Sequence, residues 1–228
     1  MPIYKTKNEN FFKKWTPEMA YVLGFFAADG NMIKNKRGAH FIEFQSTDKE
    51  IVYKIRSVLK SNLTISGYQS KHNNWKRRYR LQIGSKIIFN DLLKLGLTPQ
   101  KSKTIKLPSV PQKYFSHFAR GYFDGDGNIW SGFQNTKDRK HPTLVLSARF
   151  TCGSKKFLHS LKEKLSAEAN LKGGSFNYRD QAYRLSYSSK DSLRLYKFMY
   201  KSNNTLYLPR KRSIFEGFIE NRKYGHVV

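Results

Sequence analysis

The feature that most constrains this chain is an internal repeat of a short motif rich in glycine and aspartate. Residues 24–31 read GFFAADGN and residues 121–128 read GYFDGDGN, so glycine, phenylalanine, aspartate, glycine and asparagine recur at equivalent places. Each motif ends an apolar helical pattern and precedes strand-like segments. Because such self-similarity indicates two copies of one structural unit, the sequence predicts two related halves.

The segments around the two motifs follow one order of predicted elements. Each half reads helix–strand–strand–helix–strand–strand–helix, which predicts an α+β fold with antiparallel hairpins. The predicted strands span 31–35, 40–46, 65–71, 77–83, 128–133, 143–151, 175–179 and 182–187. Predicted helix caps are Thr16, Asp48 and Ser154. We divide the chain into an N-terminal extension (1–15), a first half (16–97), a proline-containing linker (98–111), a second half (112–224) and a tail (225–228).

Small residues lie one helical turn apart in both predicted motif helices. They are Gly24 and Ala28 in the first helix, and Gly121 and Gly125 in the second. Small side chains at this spacing let two helix backbones approach closely. We therefore predict that the two motif helices pack against each other along a pseudo-twofold axis.

Asp29 and Asp126 end the motif helices, directly before Gly30 and Gly127. Each glycine suits the left-handed position that often ends a helix. A carboxylate there faces the negative end of the helix dipole, and two such carboxylates repel each other when brought together. This arrangement favours a bound cation over two solvated aspartates, and Mg²⁺ is the natural candidate because it prefers oxygen ligands. Metal-assisted attack of water on a phosphodiester would follow.

The charge of the chain favours a polyanionic partner. It contains 43 Lys and Arg against 16 Asp and Glu, a net charge of +27. A nucleic acid explains this excess better than a membrane surface or association with a ribosome, although charge does not separate DNA from RNA. The apolar content of 39% argues against a disordered chain. The lone cysteine, Cys152, indicates a reducing compartment, so we expect a bacterial or archaeal cytoplasm or a eukaryotic organelle.

Other cofactors are not expected. The six histidines lack the spacing of a metal site, and no cysteine cluster accompanies them, so zinc is not predicted. No Walker-type loop occurs, so ATP is not predicted either. No apolar run approaches the ~20 residues that cross a bilayer.

Residues 22–30 (VLGFFAADG) and 119–127 (ARGYFDGDG) resemble the two signature motifs of the LAGLIDADG homing endonucleases. The resemblance extends from about Thr16 to Tyr224 and implies a monomer whose motif helices form the interface between the halves. It implies four-stranded antiparallel sheets that enter the major groove. It also implies that Asp29 and Asp126 are the catalytic metal ligands, that Mg²⁺ supports cleavage while Ca²⁺ supports binding without efficient cleavage, and that the cuts leave short 3′ overhangs.

The first motif departs from the family pattern at its sixth position, where it has Ala27 and the second motif has Asp124. The resemblance implies that this position is usually not a metal ligand, so no loss of activity is expected. Basic segments follow the closing helices of both halves. By resemblance, Lys101 and Lys211 are expected near the attacking water, where a cation stabilises charge developing on a phosphate. Plain contact with backbone phosphates is the alternative for each lysine.

Polar side chains on the predicted strands suit the reading of base edges. Arginine matches guanine and glutamine matches adenine, each through two hydrogen bonds. A solvated basic sheet face is the alternative for any one residue. The candidates are Gln45, Arg77, Arg78, Arg80, Gln82, Tyr178, Arg179, Arg184 and Tyr187.

These features predict a monomeric, Mg²⁺-dependent, site-specific double-strand DNA endonuclease. Its target should be long and non-palindromic, because symmetric sites mirror symmetric dimers and these halves are not identical. An intron RNA maturase and a non-catalytic DNA-binding regulator on the same scaffold are the alternatives. The paired aspartates argue against the regulator, since close carboxylates near phosphates do not help a pure binder. A chain that begins with Met1 and lacks a splicing domain favours intron homing or a free-standing gene over an intein.

Overall fold

The computed structural model describes residues 5–69, 76–135, 141–201 and 206–223. The first half contains α1 (Pro17–Asp29), β1 (Gly30–Lys34), β2 (His40–Ser46), α2 (Lys49–Val58), β3 (Ile65–Tyr68), β4 (Arg78–Gly84) and α3 (Lys86–Lys94). The second half contains α4 (Gln112–Asp126), β5 (Gly127–Gln134), β6 (Thr143–Cys152), α5 (Lys155–Ala169), β7 (Ser175–Arg179), β8 (Ala182–Tyr187) and α6 (Ser189–Met199), and α7 (Pro209–Lys223) follows. The predicted tail, 225–228, and the end of the predicted strand 65–71 lie outside the described residues.

Each half contains one four-stranded antiparallel sheet. The strand order is β1-β2-β4-β3 in the first sheet and β5-β6-β8-β7 in the second sheet. In the first sheet Phe44 pairs with Gly30, and in the second Phe150 pairs with Gly127, the corresponding motif glycine. The two sheets therefore share one register and can be matched residue by residue. The predicted α+β fold, with two pseudo-symmetric αββαββα halves, is confirmed.

The motif helices α1 and α4 pack backbone against backbone at the centre of the molecule. A Cβ atom on Gly24 would overlap the Phe118 carbonyl oxygen, and one on Gly121 would overlap the Tyr21 carbonyl oxygen. Residues 19–27 of α1 are all buried, which is why this helix is apolar on every side. The predicted packing of the motif helices is confirmed, and glycine is required where the backbones touch.

The predicted caps behave differently from one another. Thr16 accepts a hydrogen bond from the Met19 amide at 3.1 Å, and Ser154 accepts one from the Phe157 amide at 3.3 Å, as capping residues do. Asp48 precedes α2 as predicted, but its carboxylate does not cap the helix. The carboxylate accepts two hydrogen bonds from Arg210 of the second half instead. A charge-assisted pair with two hydrogen bonds is stronger than a single hydrogen bond from a neutral amide.

The glycines that follow the motif helices are not left-handed, so that prediction is wrong. Gly30 has φ −81° and ψ 150°, and Gly127 has φ −83° and ψ 156°. The chain does not reverse at these points, because α1 and α4 pass directly into β1 and β5. Glycine is needed for space: a Cβ on Gly30 would overlap the Phe26 ring, and one on Gly127 would overlap the Phe123 carbonyl oxygen.

Candidate active site and nucleic-acid interface

The two motif aspartates lie side by side at the ends of the packed helices. Asp29 is the last residue of α1 and Asp126 is the last residue of α4. A Cβ on Gly125 would overlap Ala28 and lie 3.4 Å from Asp29 Oδ2, so this glycine leaves room beside the carboxylate. Asp29 is exposed and Asp126 is half-buried. The structure therefore brings two accessible carboxylates together, one from each half.

The electrostatic environment of the two carboxylates is unequal. Burial, together with the nearby charge of Asp29, raises the pKa of Asp126 to about 7. Asp29 is partly in contact with solvent, but desolvation by the surrounding protein still raises its pKa. The positive charges of Lys211 and Lys101 oppose this rise. A carboxylate pair with raised pKa values is an unfavourable arrangement that a bound cation would relieve.

The two predicted lysines lie buried at the ends of the motif helices. Lys101 is 6% exposed and Lys211 is 3% exposed. Lys101 donates a hydrogen bond to the Gly30 carbonyl. Lys211 donates to the carbonyls of Phe123 at 2.7 Å and Gly127 at 2.6 Å, and to that of the intervening Asp124 at 2.8 Å. Each cation therefore sits at the negative end of its own motif helix.

Burial also changes the acidity of the lysines. It lowers the pKa of Lys211 to about 8 and lowers the pKa of Lys101, while the neighbouring aspartates act in the opposite direction. An ammonium has only three donors, and Lys211 uses them on backbone carbonyls. The geometry does not favour plain phosphate contact for Lys211, because its ammonium is enclosed by protein.

Asp124 joins several elements of the structure. Its carboxylate is buried, and Oδ2 accepts hydrogen bonds from the Tyr21 hydroxyl at 2.7 Å and the Leu208 amide at 2.9 Å. Burial raises its pKa to about 6. Ala27, at the same position of the first motif, has no group that could make such bonds. Asp124, which the first motif lacks, therefore ties α4 to α1 and to the segment before α7.

A cavity of about 250 Å³ opens beside Asp29 and is lined from both halves. Asp48 and Arg210 line it as an ion pair, in which Nε and Nη2 of Arg210 each donate to the Asp48 carboxylate at 2.8 Å. Sequence reasoning missed this pair, because nothing local marks two residues so far apart in the chain as partners. Arg78, one of the predicted DNA contacts, also lines the cavity. Asp29 thus faces a polar space at the junction of the halves.

The first sheet places most of its predicted contacts on one exposed face. Along β4, Arg78, Arg80 and Gln82 are exposed and alternate with side chains that face the helices. Gln45 is paired with Arg80 on the neighbouring strand and so lies on the same face. A hollow of about 470 Å³ on this face is lined by Gln45, Ser66, Gly67, Tyr68, Lys76, Arg78 and Arg80.

The second sheet carries two of its predicted contacts on the corresponding face. Arg184 is paired with Thr151 and Arg179 with Ala182, and all four share the face opposite the buried Leu185. Arg184 also donates to Asp180 at 2.6 Å.

Three predicted contacts do not lie on these faces. Tyr187 is 1% exposed and its ring packs edge-on against Phe150, so its side chain belongs to the core and is not displayed for DNA as predicted. Tyr178 is paired with Tyr183 on the side of the second sheet opposite Arg184, where its side chain is 61% exposed. Arg77 precedes β4, and its guanidinium lies 5.8 Å from the centre of the Tyr79 ring, on the helix side. Side chains alternate along a strand, so a neighbouring residue can face the wrong side.

Sequence reasoning also missed residues on the exposed face of the second sheet. A hollow of about 390 Å³ there is lined by Asn128, Trp130, Gln134, Val145, Leu146, Ser147, Arg149, Ser175, Ser186, Tyr187 and Ser188. Asn128, Trp130 and Gln134 alternate along β5, and all three are exposed. That alternation was visible in the sequence, but only the sheet register shows that Arg149 and Ser186 share their face.

Within the described ranges, no group of three or more His, Cys, Asp or Glu side chains is placed to hold a metal ion. The available donor set at the helix ends is the pair of carboxylates. Across the same ranges, no helix combines the length and apolar character needed to span a bilayer.

Comparisons with known proteins found a matching family model for the first half and similar folds for the whole chain. Residues 16–96 match the family model of the LAGLIDADG-like domain. An uncharacterised protein of Methanocaldococcus jannaschii is 28% identical over 186 residues, which cover 78% of this chain and 64% of that protein. The chain therefore spans slightly less than two thirds of the length of this relative.

Solved structures extend the comparison to the second half. The homing endonuclease I-WcaI, bound to its DNA recognition sequence, superposes with a TM-score of 0.58 at 18% identity, over 91% of each chain. The LAGLIDADG meganuclease I-AabMI, bound to uncleaved DNA, superposes with a TM-score of 0.62 at 13% identity, over 92% of this chain and 91% of its own. Residues 16–96 thus match a LAGLIDADG-like domain, and the chain as a whole shares its fold with these two solved proteins.

Proposed function

We propose that this protein is a site-specific double-strand DNA endonuclease that uses a divalent metal ion. The observation that carries the proposal is the pair of carboxylates at adjoining helix ends, Asp29 exposed and Asp126 half-buried. Each comes from a different half, and each lies at the negative end of a helix dipole. Two carboxylates held together in this way gain from a shared cation, which is the role that a nuclease requires of them.

Mg²⁺ fits the donor set. Asp29 and Asp126 would hold it, and one or two carboxylates with remaining ligands from phosphate and water is its usual environment in proteins. The helix-end carbonyls already accept hydrogen bonds from Lys101 and Lys211. When bound, the metal supplies polarisation of the phosphate and activation of a water molecule.

Two buried lysines place positive charge beside the pair of carboxylates. Lys211, with a pKa of about 8, is mostly protonated at neutral pH, and its four-carbon stem is fixed by burial. A preorganised cation of this kind stabilises negative charge that develops on a phosphate in the transition state. Lys101 occupies the corresponding place in the first half, so each strand of a duplex would meet one buried cation beside one aspartate.

The sheets supply the binding surface for DNA. Their exposed faces carry arginine and glutamine, the chain has a net charge of +27, and relatives with this fold are bound to DNA. One chain contains both halves, so it acts as a monomer on a long, non-palindromic target. Each half contributes one aspartate, so we expect one cut in each strand, and the resemblance of the motifs implies short 3′ overhangs.

The test is selection followed by metal exchange. Duplexes are captured from a randomised library in Ca²⁺, the ion is exchanged for Mg²⁺, and the released ends are sequenced. We expect discrete ends with a fixed short 3′ stagger, which Asp29→Asn and Asp126→Asn abolish. Specific capture without cutting would contradict the nuclease and favour a regulator. Failure to capture any duplex would contradict DNA as the partner and direct the search to a structured intron RNA.

A further inference from the structure

Residues of opposite charge occupy the same place in the two sheets. Glu43 on β2 is paired with Asn31, and Arg149 on β6 is paired with Asn128. Both asparagines follow the motif aspartate by two positions. The repeat therefore puts a carboxylate and a guanidinium at pseudo-symmetric positions near the candidate active site.

In the first sheet the carboxylate holds its neighbours on the exposed face. Glu43 is only 3% exposed, and its Oε1 accepts a hydrogen bond from Gln82 Nε2 at 2.7 Å. Arg80 Nη1 lies 3.5 Å from the same oxygen. An ionised carboxylate only accepts hydrogen bonds, so the Gln82 amide must turn its nitrogen toward Glu43. The second N–H and the carbonyl oxygen of that amide then form the donor–acceptor pair that matches N7 and N6 of adenine.

In the second sheet the matched positions carry a different pair. Ser186 is paired with Arg149, as Gln82 is with Glu43. Arg149 Nε lies 3.2 Å from Ser186 Oγ, so this hydrogen bond uses Nε and not the two terminal nitrogens. Both residues line the 390 Å³ hollow on the exposed face. Two terminal donors in a fixed plane match O6 and N7 of guanine.

We infer that these matched positions read different bases at symmetry-related steps of the target: adenine through Gln82, which Glu43 orients, and guanine through Arg149, which Ser186 steadies. Glu43 is a positioning residue, because it is too enclosed to reach a base itself. The inference rests on the proposed DNA-binding function. The exchange of a carboxylate in the first sheet for a guanidinium in the second would then be one physical cause of an asymmetric target.

The experiment compares base preferences after selection of randomised duplexes in Ca²⁺. For the wild type we expect about tenfold preference for adenine at one step of one half-site and for guanine at the symmetry-related step. Glu43→Gln frees the Gln82 amide to rotate, so the adenine preference should fall to about twofold while other steps keep theirs. Arg149→Lys should remove the guanine preference, because an ammonium does not present two coplanar donors.

A control variant and a variant that copies the second-half residues into the first half complete the test. Glu50→Gln makes the same chemical change at an exposed ion pair with Lys54 on α2, and it should leave all base preferences unchanged. The double variant Glu43→Arg with Gln82→Ser should move the guanine preference into the first half-site. A merely structural role for Glu43 would weaken capture of all sequences equally instead of changing one step.

Each outcome decides between the inference and the proposed function. If the wild type captures a defined target without adenine and guanine at matched steps, the inference is overturned and DNA binding stands. If Glu43→Gln stays folded and keeps the full adenine preference, the positioning role is overturned. If the double variant does not fold, the two single variants decide. Failure of the wild type to capture any duplex overturns DNA binding and this inference with it.

Discussion

The two halves share one topology but surround their motif aspartates differently. In the first half Asp29 is exposed, and Lys101 donates to the Gly30 carbonyl. In the second half Asp126 is half-buried, and Lys211 donates to several carbonyls around the end of α4. Burial and the charge of Asp29 raise the pKa of Asp126 to about 7. Equivalent positions in a repeat thus become chemically different residues, because neighbours decide the charge of a carboxylate.

The second motif helix is also the more polar of the two. Asp124 stands where the first motif has Ala27, and Arg120 stands where it has Leu23. Asp124 accepts from the Leu208 amide, and Arg120 donates to two carbonyls at and after the end of α6. These bonds tie α4 to the segment that carries Lys211. The first half is held by apolar packing at these positions, whereas the second depends on a buried polar network.

The largest expected effect tests whether the two aspartates act as one unit. Asp29→Asn and Asp126→Asn should each slow double-strand cleavage by at least about a thousandfold, because one lost ligand removes several kcal/mol of transition-state stabilisation. The measurement is the conversion of a supercoiled plasmid carrying the selected target. If the halves acted independently, one variant would accumulate nicked plasmid at the wild-type rate. Wild-type linearisation by either variant would remove that aspartate from the mechanism.

The next effect tests where the halves are equivalent. Gly24→Ala and Gly121→Ala should each lower the free energy of unfolding by about 3 kcal/mol, because the new Cβ meets backbone of the facing helix. Denaturant unfolding provides the measurement. Gly217→Ala in α7 is the control: nothing lies within 4 Å of its Cβ, so it should be neutral or stabilise by up to about 1 kcal/mol. Very unequal losses at Gly24 and Gly121 would contradict a symmetric helix interface.

A smaller loss of stability tests the polar network of the second half. Asp124→Ala leaves the Tyr21 hydroxyl and the Leu208 amide unpaired, which should cost about 2 kcal/mol. Tyr21→Phe removes one of these two hydrogen bonds and leaves the Leu208 amide paired. It should therefore lower the free energy of unfolding by about 1 kcal/mol. Both values come from denaturant unfolding. A neutral Asp124→Ala variant would show that the network contributes nothing to stability.

The free energy of unfolding also has a pH dependence that comes from a residue of the second half. Burial, with the charge of Arg120, lowers the pKa of His117 from 6.5 to about 4. Arg120 Nη2 lies 3.1 Å from His117 Nδ1, and a guanidinium only donates, so the ring is held neutral. The unfolded chain then binds more protons between these values, so the stabilising contribution is present above pH 6.5 and is lost as the pH falls toward 4.

The measurement is the unfolding free energy of the wild type and of His117→Gln from pH 7 to pH 4. The variant should lose less stability on acidification, by at most tenfold in the folded-to-unfolded ratio per pH unit. Ala20 occupies the equivalent position of the first half, where no such titration exists. Parallel pH profiles for the two proteins would contradict a neutral His117 in the folded state.

Regular elements could be predicted from the sequence because their signals are local. The predicted strands 40–46, 175–179 and 182–187 coincide with β2, β7 and β8. Side-chain faces were harder to predict, and Tyr187 shows why. A tyrosine suits both a core and a surface, and only the register with Leu185 and the helices behind it decides between them.

Predictions about the ends of the helices were wrong for a related reason. Glycine after a helix fits a left-handed cap, but Gly30 and Gly127 are extended because the next residues enter a sheet. Asp48 fits a helix cap, but it pairs with Arg210 from the other half. In each case the local pattern was satisfied by more than one structure, and a distant partner selected the one that forms.

By itself, the sequence determined the two-half architecture, the close packing of the motif helices and the pairing of Asp29 with Asp126. These follow from a repeat, from apolar periodicity and from small residues at helical spacing. All three signals can be read from the order of residues within or between the two short motifs. Only the tertiary structure decided that Lys101 and Lys211 are buried at helix ends, and that Glu43 and Arg149 occupy matched positions. Such contacts join residues far apart in the chain, so their energies exist only once the helices and sheets are in place.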